Sequence, residues 1–404
     1  MLDLSSLNDA QREAVLTCEG PLLVLAGAGS GKTRVLTYRI AHLVEDCGVA
    51  SWNILAVTFT NKAAREMRDR LSTLAAGRLR GMWIYTFHSM CVRILRSHAT
   101  VLGYSDDFTI YDTDDSKRLI KDIMADYGYT GRSFSENAMR ARISACKNEL
   151  VSPGDYKPRA NDQFDKAFAE IFKAYQQRLK RANAMDFDDL LVNVYTLLSE
   201  HPDICQEYGQ RFHYILVDEY QDTNRAQYEI TKLLASGHGN LMVVGDDDQS
   251  IYSWRGADIR NILDFERDWP DTIKLEENYR STSTILQCAN AVIAHNQSRK
   301  SKELFTRGEQ GEKVAVFLAA DERDEGRWIA AMADDLHAKG SRYNDIAVFY
   351  RTNAQSRILE DMFLRAGVPY RIVGGTRFFD RAEIRDVTAY LKLILNPADD
   401  VSCM

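Results

Sequence analysis

No apolar run in this 404-residue sequence approaches the roughly 18 residues that a membrane-spanning helix needs, so a helical membrane protein is excluded. The first residues carry no basic segment followed by an apolar stretch, so a secretory leader is not expected. Cysteine occurs without pattern: Cys18, Cys47, Cys91, Cys146, Cys205, Cys288 and Cys403 are scattered, with no CxxC pair. They read as reduced thiols of a cytoplasmic protein and not as a disulfide or zinc framework. The eight histidines likewise lack metal-ligand spacing, and there is no internal repeat or low-complexity segment. Positive charge is also short. The net charge of −7 argues against a protein that coats nucleic acid by charge alone.

What is present is typical of a soluble globular chain: 45% hydrophobic and 27% charged residues, in a length that suits roughly two to four domains. Charge is unevenly placed. Residues 1–100 hold 12 Lys and Arg against 8 Asp and Glu, a surplus of 4, and the remainder carries −11. Lys62, Arg65, Arg68, Arg70, Arg78 and Arg80 form a basic stripe. A solvated helix face is the usual meaning of such a run, and composition alone does not promote it to a nucleic-acid footprint.

The most informative segment runs from Leu22 to Thr33. An apolar run ends in the glycine-rich turn Gly27-Ala28-Gly29-Ser30-Gly31, then Lys32-Thr33, then the helical pattern Val35, Leu36, Tyr38, Arg39, Ile40, Leu43. Strand, small-residue loop and helix are what a polyphosphate cradle requires. Backbone N–H groups close on the phosphates, and the helix N-terminus adds positive potential. Lys32 can reach the β- and γ-phosphates, and the Thr33 hydroxyl can hold Mg²⁺. Ala26 stands where the strict pattern has glycine.

Further apolar runs at Ile54–Thr58, Tyr214–Asp218, Leu241–Gly245 and Thr272–Leu275 read as buried parallel strands separated by helices. The expectation is an α/β fold with a parallel sheet and chemistry at the carboxyl ends of its strands. From about 104 to 205 the pattern becomes helical and charged, which suggests a helical domain inserted into the nucleotide domain. Another α/β segment follows, with runs at Val314–Leu318, Ile346–Tyr350 and Tyr370–Val373 between helical stretches, and a final helix over Arg381–Leu395.

Two strand ends carry acids. Asp218 and Glu219 follow an apolar strand; in a phosphate-loop protein the first binds Mg²⁺ and the second orients and deprotonates the attacking water. After Leu241–Gly245 comes Asp246-Asp247-Asp248-Gln249-Ser250-Ile251-Tyr252-Ser253-Trp254-Arg255-Gly256. Gln249 is placed to feel a γ-phosphate. Tyr252 and Trp254 beside Arg255 suit base stacking, although an aromatic core cluster is the commoner meaning of such rings. Tyr279 and Arg280 follow the last strand, offering a stacking ring and a charge for transition-state phosphate. In Met185-Asp186-Phe187-Asp188-Asp189-Leu190, Asp186 or Asp188 is expected to cap the following helix.

Taken in order, Gln11 in its LNDAQREA context, AGAGSGKTR, TFTNKAA, YTFH, VDEYQDT, VGDDDQSIYSWRGA and ENYRS resemble the UvrD/Rep/PcrA-type superfamily 1 DNA helicases over essentially the whole chain. The later YRTNAQS and GGTRFF fit the same pattern. The resemblance implies a RecA-like parallel-sheet P-loop NTPase domain with an inserted helical domain and a partial second RecA-like lobe. Residues 1–103 with 206–278 would be the first lobe, 104–205 the insert, 279–376 part of the second lobe and 377–404 the start of a further helical insertion. It implies ATP and Mg²⁺ as cofactors, with Gln11 contacting adenine and Tyr279 stacking on it. Ala28, Gly29, Ser30, Gly31, Lys32, Thr33 and Arg34 would hold phosphates, with Thr33 and Asp218 on the metal. Glu219 would be the base, and Gln249 and Arg280 would sense the γ-phosphate.

Phe59, Asn61, Thr86, His88, Phe187, Tyr252, Trp254 and Arg255 would line a single-strand DNA track, although His88 also fits a buried structural histidine. The implied activity is ATP-driven 3′–5′ movement along single-stranded DNA and opening of junctions with duplex. Repair or replication proteins of unknown identity are implied partners. The family pattern continues with the rest of the second lobe, including a second phosphate-contacting arginine, and nothing like TxHxxKGLE or YVxxTRA occurs here. The natural protein is therefore expected to be longer, with a genuine short homologue as the other possibility. The alternative for this chain is an ATP- and DNA-binding module with little turnover.

Overall fold

The computed structural model describes residues 2–75, 79–129, 134–160, 162–253, 256–265, 269, 271–296, 299–300, 302–373 and 382–396, the last stretch without the side chains of 382–386. It divides into two compact units, Met1–Gly311 with Ala389–Met404, and Glu312–Thr388.

The larger unit is organised by a parallel sheet. Its elements run α1 (Asp9–Leu16), β1 (Leu22–Ala26), α2 (Lys32–Glu45), β2 (Ile54–Thr58), α3 (Asn61–Leu74), β3 (Trp83–Thr86) and α4 (Phe87–His98). After a helical stretch come β6 (Tyr214–Val217), α10 (Arg225–Ala235), β7 (Leu241–Gly245), α11 (Arg260–Leu263), β8 (Thr272–Leu275) and α12 (Ser283–Ile293). The strand order is β3-β2-β6-β7-β1-β8. β1 is paired on both sides, Val24 facing Val244 of β7 and Ile273 of β8. Every residue of β1 and β2 is buried, because helices cover both faces of a parallel sheet. Leu23 and Leu25 point into one core; Leu22, Val24 and Ala26 point into the other.

The five strands expected from apolar runs are present, with β6 ending at Val217 rather than Asp218. β3 was not expected. It is a short edge strand beside β2, built from Trp83, Ile84, Tyr85 and Thr86 and lacking the aliphatic run that marks an interior strand.

Between α4 and β6 lies the helical stretch: α5 (Thr113–Asp126), α6 (Glu136–Asn148), α7 (Gln163–Arg181), α8 (Phe187–Glu200) and α9 (Pro202–Arg211). α5, α6 and α7 close their own core around Ile120, Ile143, Phe168 and Phe172. A two-stranded parallel ribbon of β4 (Thr109–Tyr111) and β5 (Ala184–Asp186) supports them. Asp186 caps α8 and forms a reciprocal capping box with Asp189, so of the two cap candidates it is Asp186 that serves.

In the smaller unit, α13 (Glu322–Ala338) packs on α14 (Ser356–Ala366) around Ala330, Ala333, Phe363 and Val368. The expected strands at 314–318, 346–350 and 370–373 do not form. A strand needs a hydrogen-bonded neighbour, and none lies beside these runs among the described residues; Val316 and Phe349 are more than 90% exposed. The expected final helix is present as α15 (Ala382–Leu395), and Arg381 lies outside the described residues. From Ala389 onward the chain belongs to the larger unit, where Lys392 in the last turn of α15 pairs with Asp115 at 2.8 Å and Asn396 donates to Thr109 Oγ1 and the Ala182 carbonyl.

Candidate functional site

The glycine-rich turn follows β1 at its carboxyl end, and α2 starts at Lys32. Gly29 and Gly31 have φ of +70° and +92°, a left-handed backbone that side chains resist. A Cβ on Gly29 would lie 2.5 Å from Asn278 Nδ2. The turn's carbonyls are tied back by one bond from within the turn and three from outside it. Ser30 Oγ donates to Gly27 O at 2.7 Å, Asn278 Nδ2 to Ala28 O at 2.6 Å, Tyr279 N–H to Gly29 O at 3.0 Å and Gln11 Nε2 to Ser30 O at 2.8 Å. α2 has no side-chain cap, so the first N–H groups of the helix lack an intrahelical acceptor and form a ready anion site.

Asp218 and Glu219 emerge from β6 beside this turn. Lys32 Nζ lies 3.8 Å from Glu219 Oε2. Burial and the charge of Glu219 push the Asp218 carboxyl up to about 7, against the opposing pull of Lys32. Glu219 adopts φ +51°, ψ +45°, a left-handed conformation costing about 1–3 kcal/mol for a residue with a side chain. Gln221 holds it: Nε2 donates to Glu219 Oε2 at 2.9 Å while Oε1 accepts the Asp246 N–H at 3.0 Å. One amide therefore spans the ends of β6 and β7. Burial and Glu219 also raise Asp222, to about 6.

At the end of β7, Gln249 Nε2 donates to Asp246 Oδ2. Asp246, Asp247 and Asp248 converge as a metal-binding cluster would. The buried Lys302 ammonium already sits among them, 2.8 Å from Asp246 Oδ1 and from Asp248 Oδ2 and in contact with Asp247. That cation place is taken by a side chain. The two residues expected to hold a metal, Asp218 and Thr33, stand directly after β6 and second in α2.

Tyr279 and Arg280 are exposed beside the turn, and Tyr279 Oη accepts a bond from Asn8 Nδ2 at 2.8 Å. Gln11 is buried, with both ends of its amide engaged, Nε2 on Ser30 O and Oε1 accepting the Asn8 N–H.

The proposed DNA residues lie at the carboxyl ends of β2, β3 and β7 and at the start of α8. Phe59 and Tyr252 face one another with ring centroids 5.1 Å apart. His88 meets Phe187 edge-on at 5.9 Å, and Phe187 is half-exposed. Burial lowers the pKa of His88, favouring the neutral ring. Asn61 is exposed at the start of α3, whereas the Thr86 hydroxyl caps α4 by accepting the Ser89 N–H. Trp254 and Arg255 lie outside the described residues.

Sequence reasoning did not single out Asn278 or Lys302, and it read Gln221 with Asp222 only as extending the polar site after Glu219. Asn278 and Gln221 stood inside quoted motifs, but nothing in a linear pattern says that an amide will bridge two strand ends. Lys302 lies 54 positions beyond Asp248 and carries no local signal.

Residues 7–270 match the UvrD/REP helicase N-terminal domain, and residues 273–404 match the UvrD-like helicase C-terminal domain. Over 401 residues the chain is 49% identical to the ATP-dependent DNA helicase PcrA of Staphylococcus aureus, covering 99% of this chain and 55% of that protein. It is 49% identical over 402 residues to the protein of the same description from Bacillus subtilis, covering 99% of this chain and 54% of that one. The chain thus spans about half the length of the curated relatives it matches.

Proposed function

We infer from its membership of the UvrD/REP helicase family, to which this chain belongs, that it couples ATP hydrolysis to 3′–5′ movement along single-stranded DNA. The observation that carries the reading is the convergence, at the carboxyl ends of the interior strands β1 and β6, of an uncapped helix N-terminus, Lys32, Asp218 and a strained Glu219. Relatives named as ATP-dependent DNA helicases match across 99% of the chain, which favours an enzyme over a module that only binds. Under this reading, residues 1–103 with 206–278 act as the first lobe, 104–205 as the insert and the following residues as part of the second lobe.

Backbone N–H groups of Gly29, Gly31, Lys32 and Thr33 bind the phosphates, and Lys32 neutralises β- and γ-phosphate charge. Thr33 and Asp218 would hold Mg²⁺, which when bound neutralises phosphate charge and polarises the γ-phosphoryl group. Glu219, oriented by Gln221, takes a proton from the attacking water. Gln249 reports the γ-phosphate to the strand end that carries Tyr252. Gln11 and Tyr279 recognise adenine, and Arg280 stabilises charge on the transferring phosphoryl group. Gln11 must then turn its amide from Ser30 O toward the base when nucleotide enters, which makes opening of this contact part of binding. Phe59, Asn61, His88, Phe187, Tyr252, Trp254 and Arg255 contact the strand, with stacking supplying sequence-independent grip.

Glu219→Gln tests the assignment. ATP binding should persist while DNA-stimulated hydrolysis falls by roughly 10²–10⁴-fold, the usual contribution of a positioned base. Nucleotide affinity by fluorescence titration and turnover by phosphate release separate the two. Loss of binding with hydrolysis in proportion would move Glu219 to a structural role.

A further inference from the structure

We propose that Cys18, His42 and Cys47 form a binding site for a thiophilic divalent metal ion, zinc by preference, at the end of α2 remote from the phosphate turn. The proposal is independent of the helicase reading. Cys18 follows α1, His42 lies in the last turn of α2, and Cys47 stands in the turn after it. Three segments separated in sequence thereby bring one imidazole nitrogen and two sulfurs within 4.8 Å of one another.

The geometry suits a tetrahedral ion. His42 Nε2 and Cys47 Sγ are 3.5 Å apart. Zinc bound at about 2.3 Å to sulfur and about 2.0 Å to nitrogen with tetrahedral angles requires a separation of about 3.5 Å. The other ring nitrogen is already committed: His42 Nδ1 lies 2.8 Å from Asp46 Oδ2. A proton on Nδ1 donated to that carboxylate leaves the Nε2 lone pair aimed toward Cys47, the second-layer arrangement that orients histidine ligands of zinc. Asp46 is itself fixed, accepting the Leu2 N–H at Oδ1 at 3.0 Å. Two thiolates and a neutral imidazole balance a divalent charge, and the nitrogen–sulfur set favours zinc over magnesium or calcium. Cys47 is exposed, so water has access to the fourth position. Ion binding would release the two thiol protons; burial pushes the Cys18 thiol up to about 11, against the pull of the buried Arg39 guanidinium, whose Nη2 lies 3.1 Å from the Cys18 carbonyl, so binding should strengthen as pH rises. A disulfide between Cys18 and Cys47 is the competing chemistry, but it leaves the aimed imidazole and its carboxylate without a task.

The test is titration of the reduced 404-residue chain with cobalt(II) and then zinc. One equivalent of cobalt should produce a thiolate-to-metal charge-transfer band that zinc abolishes. With free zinc at 100 times its dissociation constant, alkylation of Cys47 should slow on the order of 100-fold by mass action. Cys47→Ser and His42→Gln should each lose the band, while Cys288→Ser keeps it. Melting curves show whether each variant is folded, and the alkylation measurement needs no variant. Absence of the band in the reduced protein overturns the proposal. So does a band that survives both substitutions, or bound zinc that leaves Cys47 as reactive as before.

Discussion

Asp218 sits buried at the end of β6 with its carboxyl raised to about 7 by burial and by Glu219. Its unfolded value is about 3.9, so the folded chain takes up the proton first as pH falls. This group therefore favours folding most at low pH, and the contribution is lost as pH rises from about 4 to about 7. A bound cation reverses the balance by holding the ionised form. The rise in melting temperature caused by Mg²⁺ with a non-hydrolysable ATP analogue should be larger at pH 8 than at pH 6. In Asp218→Asn the pH dependence of that rise should flatten, as calorimetry would read. The left-handed backbone of Glu219 belongs to the same scale, because Gln221 and Lys32 fix a carboxylate that the bare chain would not hold there.

Among the elements, α6 and α8 are joined by a buried ionic cluster. Lys147 of α6 lies 2.7 Å from Asp186 and from Asp189, which frame the start of α8, and Tyr175 of α7 donates to Asp186 at 2.9 Å. Burial opposes charge on Lys147, yet the two carboxylates raise its pKa well above the ordinary lysine value. Lys147→Met should cost about 3–5 kcal/mol in urea unfolding, because two buried carboxylates lose their cation. The cost should shrink at pH 5, where protonation of Asp189, already raised to about 7 by burial and by Asp186, removes part of the stranded charge. α8 also carries Phe187, so the same cluster fixes the position of a proposed DNA contact. Next to it, Asn148 receives a hydrogen bond from Asn224, the cap of α10, which joins the helical stretch to the segment that follows Asp218 and Glu219.

For the molecule as a whole, net charge and binding surface point in different directions. The chain carries −7, but the proposed strand contacts sit at the carboxyl edge of a sheet whose first hundred residues have a positive surplus. Single-stranded DNA affinity should fall with salt, with a log–log slope of about −0.7 per phosphate neutralised, despite the acidic total. Tyr252→Ala should weaken binding roughly 5- to 150-fold at every salt concentration without changing that slope, since stacking releases no counterions. Fluorescence anisotropy with a labelled oligonucleotide across a salt series reads both.

The α/β class, five of the six strands of the main sheet, the glycine-rich turn between β1 and α2 and the paired acids after β6 were legible in the sequence. Each rests on a local rule: apolar runs, small residues in a turn, and charges directly after a strand. Edge strand β3 escaped because its four residues, Trp83, Ile84, Tyr85 and Thr86, form no aliphatic run. The runs at 314–318, 346–350 and 370–373 read as strands because a run records propensity, whereas a strand also requires a neighbour. Tertiary structure alone decided that Asn278 closes on the phosphate turn, that Gln221 spans two strand ends and that Lys302 fills the acid cluster of β7. It also assembled Cys18, His42 and Cys47, whose spacing had argued against a metal framework. Sequence by itself determined what each segment prefers to be. Which side chains meet depends on how those segments pack, and contacts between residues far apart in the chain leave no periodicity to read.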